Sequence, residues 1–256
     1  MNKHIHNLFD SRLEVIDTHA HIDDFPILNA VIERAKKSGV VAIIAVGTGP
    51  ESNKKLNRLS RSYSNYVFPA LGIHPWEIEL NAEAEIDRIR NEIEDCVAVG
   101  EIGLDYWIKI DKEKQRSVFK KLLELAVEND KPVSIHTRGA WEDAYHLVEE
   151  SGIKKAVFHW YSGPFQILEK ILEKGYFISA TPAVEYSKAH IEAIKKTPLE
   201  NLLLETDSPV KYKGVEAEPA TVIKTLNLVS ELKKVTQKTV ADKTTRNAIE
   251  LFKIKI

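Results

Sequence analysis

Six side chains able to ligate metal ions close, or lie just past, short apolar runs in this chain. His19 and His21 end VIDTHAHI, Glu101 sits in VAVGEIG, His136 ends PVSIH, His159 ends AVFH and Asp207 follows LLLET. Asp17, His19 and His21 stand at i, i+2 and i+4, a spacing that puts all three on one face of an extended strand. Each residue has a plain structural reading by itself. A strand-end histidine is commonly a hydrogen-bonded core residue, Glu101 could pair with Lys109 or Arg138, and Asp207 could cap whatever follows Pro209. Four imidazoles and two carboxylates at the same end of several strands are better explained as a metal site. His4 and His6 share the same spacing but sit in a polar stretch with no strand before them, and are read as solvated bystanders.

The set divides into two groups. His19, His21 and Asp207 would hold one ion, His136 and His159 a second, and Glu101 would bridge ions about 3.5–4 Å apart. Asp17 would orient a ligand from behind. Histidine-rich ligation favours Zn, Mn, Co or Fe over Mg, so the expected cofactor is two divalent ions drawn from Zn, Mn, Co or, less naturally, Mg. Two such ions against two carboxylates leave about +2 of local charge, which suits an anionic substrate. A water with its pKa lowered toward ~7 would attack, and Asp207 would take its proton. Asp207 and Glu101 are therefore the expected catalytic residues.

Short β-branched or apolar runs alternate with longer charged stretches of helical period. Strands are expected near residues 13–19, 40–47, 66–71, 97–100, 133–136, 156–159, 176–179 and 201–205, several of them continuously apolar as in parallel sheets covered on both faces. Helices are expected over residues 29–38, 82–94, 112–128, 140–150 and 164–174, with Gly39, Gly152 and Gly175 at helix ends. The stretch from residue 219 to 252 would supply closing helices. Strand–helix alternation eight times over predicts a (β/α)8 TIM barrel with the metal site at the C-terminal ends of the strands. One domain is expected over residues 1–256, the first dozen residues being an N-terminal extension.

Composition sets limits. A formal net charge of −2 argues against a sequence-independent electrostatic nucleic-acid binder, though not against an enzyme that meets nucleic acid at a local site. A lone cysteine, Cys96, precludes an intramolecular disulfide, and the first residues lack the apolar segment of a signal peptide. The longest apolar run, residues 40–46, is too short to span a bilayer. A cytoplasmic protein with no membrane partner is expected.

The segments IDTHAHIDD, GIHPW, VGEIGLDY, Gln115–Arg116, PVSIHTR, FHWYSG, GYFIS and LLLETDSP, in this order, resemble the TatD family of metal-dependent hydrolases, a branch of the amidohydrolase-like TIM barrels. The resemblance runs from residue 15 to 210. It implies deoxyribonuclease-type phosphodiester hydrolysis with DNA as substrate, on single strands or ends, and His19, His21, Glu101, His136, His159 and Asp207 as metal ligands. This chain departs from the family pattern in two loops. Trp160-Tyr161 follows His159 where a Cys-Phe pair is frequent, and Glu216-Ala217-Glu218-Pro219 stands where Arg-Asn-Glu-Pro is usual. Lys211 and Lys213 could compensate for the missing arginine. The competing readings are a hydrolase of a small or aminoacyl ester or amide, and a metal-binding barrel without chemistry.

All four tryptophans, Trp76, Trp107, Trp141 and Trp160, follow strand ends, where Tyr106 and Tyr161 join them. Trp107 and Trp160 are expected to contact substrate as stacking surfaces for bases; capping and packing of the barrel is the alternative. Arg138 and His74 are placed to meet a phosphate. Gly47-Thr48-Gly49 before Pro50 could cradle one as well, although a tight turn suffices to explain it.

Overall fold

The computed structural model describes residues 13–79 and 81–256, and the readings made for His4, His6 and the N-terminal extension fall outside that range. Eight strands form one sheet in sequence order: β1 (Val15–Ala20), β2 (Val40–Val46), β3 (Val67–Leu71), β4 (Ala98–Asp105), β5 (Val133–Arg138), β6 (Ala156–Phe158), β7 (Phe177–Ala180) and β8 (Leu202–Leu204). Each neighbouring pair is parallel. The ends of the sheet meet through a parallel bridge between Ala20 and Ser208, and Thr18 Oγ1 donates to the Leu204 carbonyl at 2.9 Å. The result is a nearly closed (β/α)8 barrel, as the alternation predicts.

Every residue of β1 and β4 is buried, and adjacent residues such as Val15 and Ile16 fall into different apolar clusters. Both faces of the sheet are therefore covered, which is why these strands read as continuous apolar runs. The helices are α1 (Leu28–Ser38), α2 (Pro50–Ser62), α3 (Ala82–Glu92), α4 (Lys112–Glu128), α5 (Trp141–Ser151), α6 (Phe165–Glu173), α7 (Lys188–Lys196), α8 (Val222–Lys233) and α9 (Gln237–Phe252). In α6 the buried residues Ile167, Leu168 and Ile171 make one stripe, each contributing about 1.5–3 kcal/mol by leaving water. Gly39 and Gly152 end α1 and α5 in the left-handed conformation, and Gly175, at φ +74°, follows α6 in the same way. Pro50 starts α2, where a missing N–H costs nothing. Ala248, Leu251 and Phe252 of α9 pack with Ile16, Ala42 and Ile44 of the barrel.

Two expectations need correction. The fourth strand does not stop at residue 100 but runs on to Asp105, because β4 and β5 stay paired through Gly103↔His136 and Asp105↔Arg138. A short hairpin of β9 (Lys211–Tyr212) and β10 (Val215–Glu216) follows β8; its strands are too short to show a period in sequence. No helix among the described residues is long and apolar enough to cross a membrane.

Candidate metal centre

Glu101 lies within β4, not at its end, and the backbone around it is tightly fixed. Its N–H donates to the Gly47 carbonyl at 2.9 Å. A Cβ on Gly72 would sit 2.4 Å from the Glu101 carbonyl oxygen, and one on Gly103, at φ +147°, would sit 2.0 Å from the His136 carbonyl oxygen. Glycine at these two places lets β3, β4 and β5 approach closely enough to bring their polar side chains together.

The six expected ligands converge on the Glu101 carboxylate and its surroundings. Oε2 lies 3.3 Å from His19 Nε2 and 3.6 Å from His21 Nε2. Oε1 lies 2.9 Å from His136 Nδ1 and 2.8 Å from His159 Nε2. Asp207 Oδ1 is 3.3 Å from His21 Nε2 and 3.6 Å from His19 Nε2. His74 adds a fifth imidazole, with Nε2 at 3.6 Å from Glu101 Oε1.

The remote ring nitrogens show how the imidazoles are held. His21 Nδ1 meets the Val46 carbonyl at 2.9 Å, which requires that this nitrogen carry the proton. His19 Nδ1 meets Ser134 Oγ at 3.3 Å and His159 Nδ1 meets Glu205 Oε1 at 3.4 Å. These contacts turn the Nε2 atoms inward, as carboxylate–histidine–metal arrangements do. His136 is reversed, its Nδ1 facing inward and its Nε2 lying 3.4 Å from Asp105 Oδ2. His19 Nε2 is buried without a hydrogen-bond partner among the described residues. A donor set of imidazoles and carboxylates with an orphaned inward nitrogen fits a divalent cation of the Zn, Mn or Co type.

Charge follows from the crowding. Burial works to raise Glu101, but His159, His74 and His19 outweigh it and hold the carboxyl well below its usual range. Burial opposes protonation of His21, yet Asp207 and Glu101 bring it up to about 9, and His159 and His136 are also raised. His74 behaves differently: burial pushes it down to about 3 despite Glu101. The Trp76 N–H donates to His74 Nδ1 at 3.2 Å, so the neutral ring carries its proton on Nε2, facing the centre.

Asp17 acts on the backbone beside two candidate ligands, accepting from His19 N at 3.5 Å and from Thr206, the neighbour of Asp207. Its carboxylate accepts from Thr206 N at 2.9 Å and from Thr206 Oγ1 at 2.6 Å, while Asp207 N donates to the His19 carbonyl at 2.9 Å. Burial raises Asp17 well above the ordinary carboxyl value, against those Thr206 bonds. Beside the expected trio His19, His21 and Asp207, two further groupings lie close enough to share an ion, His19 with His159 and Glu205, and His136 with Glu101 and His74.

The centre opens into a cleft of about 800 Å³ whose lining includes His74, Trp76, Trp107, Arg138, Trp160 and Tyr186. All four expected substrate contacts, His74, Arg138, Trp107 and Trp160, therefore face the cleft. Several alternatives left open by the sequence resolve toward packing or ion pairing. Tyr161 is buried and donates its hydroxyl to the Pro164 carbonyl at 2.7 Å, so it packs instead of stacking. Trp141 begins α5 and packs at the rim against Trp107, with ring centroids 6.4 Å apart. Lys213 pairs with Glu185 at 3.3 Å and Lys211 with Glu216 at 4.0 Å, and neither lines the cleft. Glu101 contacts histidines, and Arg138 pairs with Asp105. Gly47 serves packing, because a Cβ there would meet Asn53 Oδ1 at 1.9 Å.

Asp105 is the main residue that the sequence reading missed. It is wholly buried and accepts from Arg138 Nη2 at 2.6 Å, Arg138 Nε at 3.1 Å, Trp76 Nε1 at 2.8 Å and Trp107 N at 3.0 Å. Burial would raise its carboxyl, but His136, Arg138 and Trp76 keep it below the ordinary range. Its i+4 spacing from Glu101 was the available signal, hidden by the expected end of the strand at residue 100. Glu205 was missed likewise; it reads as strand but accepts from Trp160 N at 3.0 Å.

An eight-stranded parallel barrel with imidazoles and carboxylates gathered at the C-terminal ends of its strands defines the class of α/β-barrel hydrolases that work with divalent metals. The chain belongs to the TatD family within that class: the profile of the family described as "TatD related DNase" matches residues 16–253. The human protein described as deoxyribonuclease TATDN3 is 31% identical over 93% of this chain and 94% of its own length. An uncharacterised metal-dependent hydrolase of Bacillus subtilis, YabD, is 32% identical over 94% and 99%. Among solved structures, the Escherichia coli TatD homologue YJJV superposes with a TM-score of 0.88 at 29% identity, over 95% of this chain and 99% of that one.

Proposed function

We propose that this hydrolase cleaves phosphodiester bonds in DNA, on single strands or at ends, with two divalent ions held by His19, His21, Glu101, His136, His159 and Asp207. One observation carries the two-ion reading: the two oxygens of Glu101 face different histidine pairs, Oε2 toward His19 and His21, Oε1 toward His136 and His159. A carboxylate so placed suits the bridging role. The deoxyribonuclease description of the human relative supports the choice of bond.

When bound, divalent ions supply a water of lowered pKa and positive charge to offset the charge that develops on the phosphoryl oxygens. The protein's own groups do the rest. Asp207, held at φ +50° between the Thr206 anchor and the His19 carbonyl, accepts the proton lost by the attacking water. Glu101 keeps the two ligand groups in register. His74 offers a neutral Nε2–H to a phosphoryl oxygen, and Arg138 offers the guanidinium hydrogens that Asp105 leaves free. Trp107 and Trp160 border the path of the strand.

A second reading, hydrolysis of a small ester, has one observation in its favour. Arg138 is the only lysine or arginine lining the cleft among the described residues, and Asp105 already neutralises it. Metal-dependent cleavage of end-labelled single-stranded DNA separates the two. Native protein should cut, chelator should stop it, and Asp207→Asn should lower kcat by roughly 10²–10⁴-fold. Absence of cleavage with Mg, Mn, Co and Zn, together with turnover of small esters, would transfer the assignment to the second reading.

A further inference from the structure

Trp76, Arg138 and Trp107 form a single unit on one wall of the cleft. The Arg138 guanidinium carbon lies 5.4 Å from the Trp76 ring centroid and 5.5 Å from that of Trp107. Buried Asp105 holds all three, accepting from the guanidinium, the Trp76 indole N–H and the Trp107 backbone N–H. Trp107 is fixed further by its edge contact with Trp141 and by Gly139, where a Cβ at φ +68° would meet the Trp107 indole nitrogen at 2.5 Å. Glycine at 139 thus leaves room for this indole.

Despite this support, Trp107 is 68% exposed and Trp76 53% exposed. Packing the barrel does not account for them, since a packing tryptophan buries most of its surface. Two large aromatic surfaces are held in place and offered to the cleft, and between them stands a planar cation with N–H groups to spare. Asp105 offsets the charge of that cation, and the unit offers π surface as well as hydrogen-bond donors. A flat, heteroatom-bearing aromatic group matches both. The same Asp105 lies 3.4 Å from His136 Nε2, so the unit is tied to the candidate metal centre.

We infer that Trp76, Arg138 and Trp107, organised by Asp105, form a binding subsite for one unpaired nucleobase of the nucleotide next to the scissile phosphate. This rests on the nucleic-acid reading above and sharpens it. A base in a continuous duplex has its faces covered by neighbours, so the subsite selects single strands and frayed ends. Asp105 is then a positioning residue, linking base capture to the orientation of His136.

The test uses short oligothymidylates in which one thymine at a time is replaced by 5,6-dihydrothymine, which keeps the hydrogen-bonding edge but loses the flat aromatic ring. Two readouts are taken, metal-dependent cleavage and quenching of indole fluorescence by the same oligonucleotides in chelator, where no cleavage occurs. At one position beside the cut, dihydrothymine should raise KM on the order of ten-fold with kcat nearly unchanged, and should weaken quenching similarly. Trp107→Ala should abolish that preference while the far-ultraviolet dichroism stays native, and Trp107→Phe should retain most of it. Quenching that treats the two bases alike, or that survives Trp107→Ala undiminished, overturns the subsite, as does a flat substitution scan of cleavage. Failure to cleave any oligonucleotide, with base-selective quenching intact and lost in Trp107→Ala, overturns the nuclease assignment and leaves the subsite standing.

Discussion

At the scale of single residues, Glu101 decides most. Its Oε2 meets His19 and His21 whereas its Oε1 meets His136, His159 and His74, so replacing the charge while keeping the shape should uncouple the two ligand groups. Glu101→Gln is expected to reduce the stoichiometry of tight divalent-ion binding from two to one or none by calorimetry, and to lower turnover by at least ~10²-fold. Unchanged stoichiometry would mean that Glu101 does not bridge. Protons compete for the same cage: His21 is raised to about 9 by Asp207 and Glu101 against the effect of burial. Ion uptake must release protons, so metal affinity should fall as pH falls. The sequence exposed Glu101 by its position after an apolar run, but not Asp105, whose role depends on partners from two other segments, around Trp76 and around Arg138.

At the scale of elements, one feature spaces the strands of the centre and a second ties α7 to the barrel. Gly103 is at φ +147° with no room for a Cβ against the His136 carbonyl, so β4 and β5 keep their spacing only with glycine there. Gly103→Ala should cost at least ~2 kcal/mol in denaturant unfolding and weaken metal binding in parallel, since Glu101 and His136 flank the contact. A stable variant with native affinity would show that the strands can yield. The second feature is His190 on α7, whose Nδ1 donates to the Tyr161 carbonyl at 2.8 Å and whose Nε2 accepts from Thr181 N at 3.1 Å. Burial depresses it to about 4. An unfolded histidine takes up a proton near its ordinary value of 6.5, whereas folded His190 resists until about 4, so its contribution is complete above pH 6.5 and lost as pH falls toward 4. The loss amounts to roughly 3 kcal/mol. In His190→Gln the midpoint of thermal unfolding should fall less steeply over that range; an unaltered acid limb would assign the slope to other groups.

For the whole molecule, the centre is also a clasp. Its candidate ligands come from the ends of β1 and β8, which close the barrel through Ala20 and Ser208, and from β4, β5 and the residue after β6. An ion that binds only the assembled cage stabilises the fold by about 2.7 kcal/mol at a hundred-fold excess over its Kd. For a chain of this size that corresponds to an upward shift of roughly 5–10 °C in Tm. Saturating Zn or Mn should produce that shift, chelator should reverse it, and Glu101→Gln should shrink it. A Tm indifferent to metal in the native chain would argue against a cage formed on folding.

The sequence by itself determined the architecture and singled out the candidate ligands. Strand–helix alternation, apolar runs buried on both faces and polar residues at strand ends are local patterns, written within a few neighbours of one another. They predict the barrel and single out His19, His21, Glu101, His136, His159 and Asp207. Recognition of the TatD pattern gave the class of chemistry. Tertiary structure alone decided which oxygen of Glu101 faces which histidines, that Asp17 anchors Thr206, that Tyr161 is buried, and that Asp105 gathers Arg138 with two tryptophans. It also leaves Lys211 and Lys213 outside the lining of the cleft. The physical reason is range. Secondary structure follows from periodicity along the chain, whereas a hydrogen bond or ion pair is chosen among residues tens of positions apart, and only the closed barrel brings them within 3 to 4 Å.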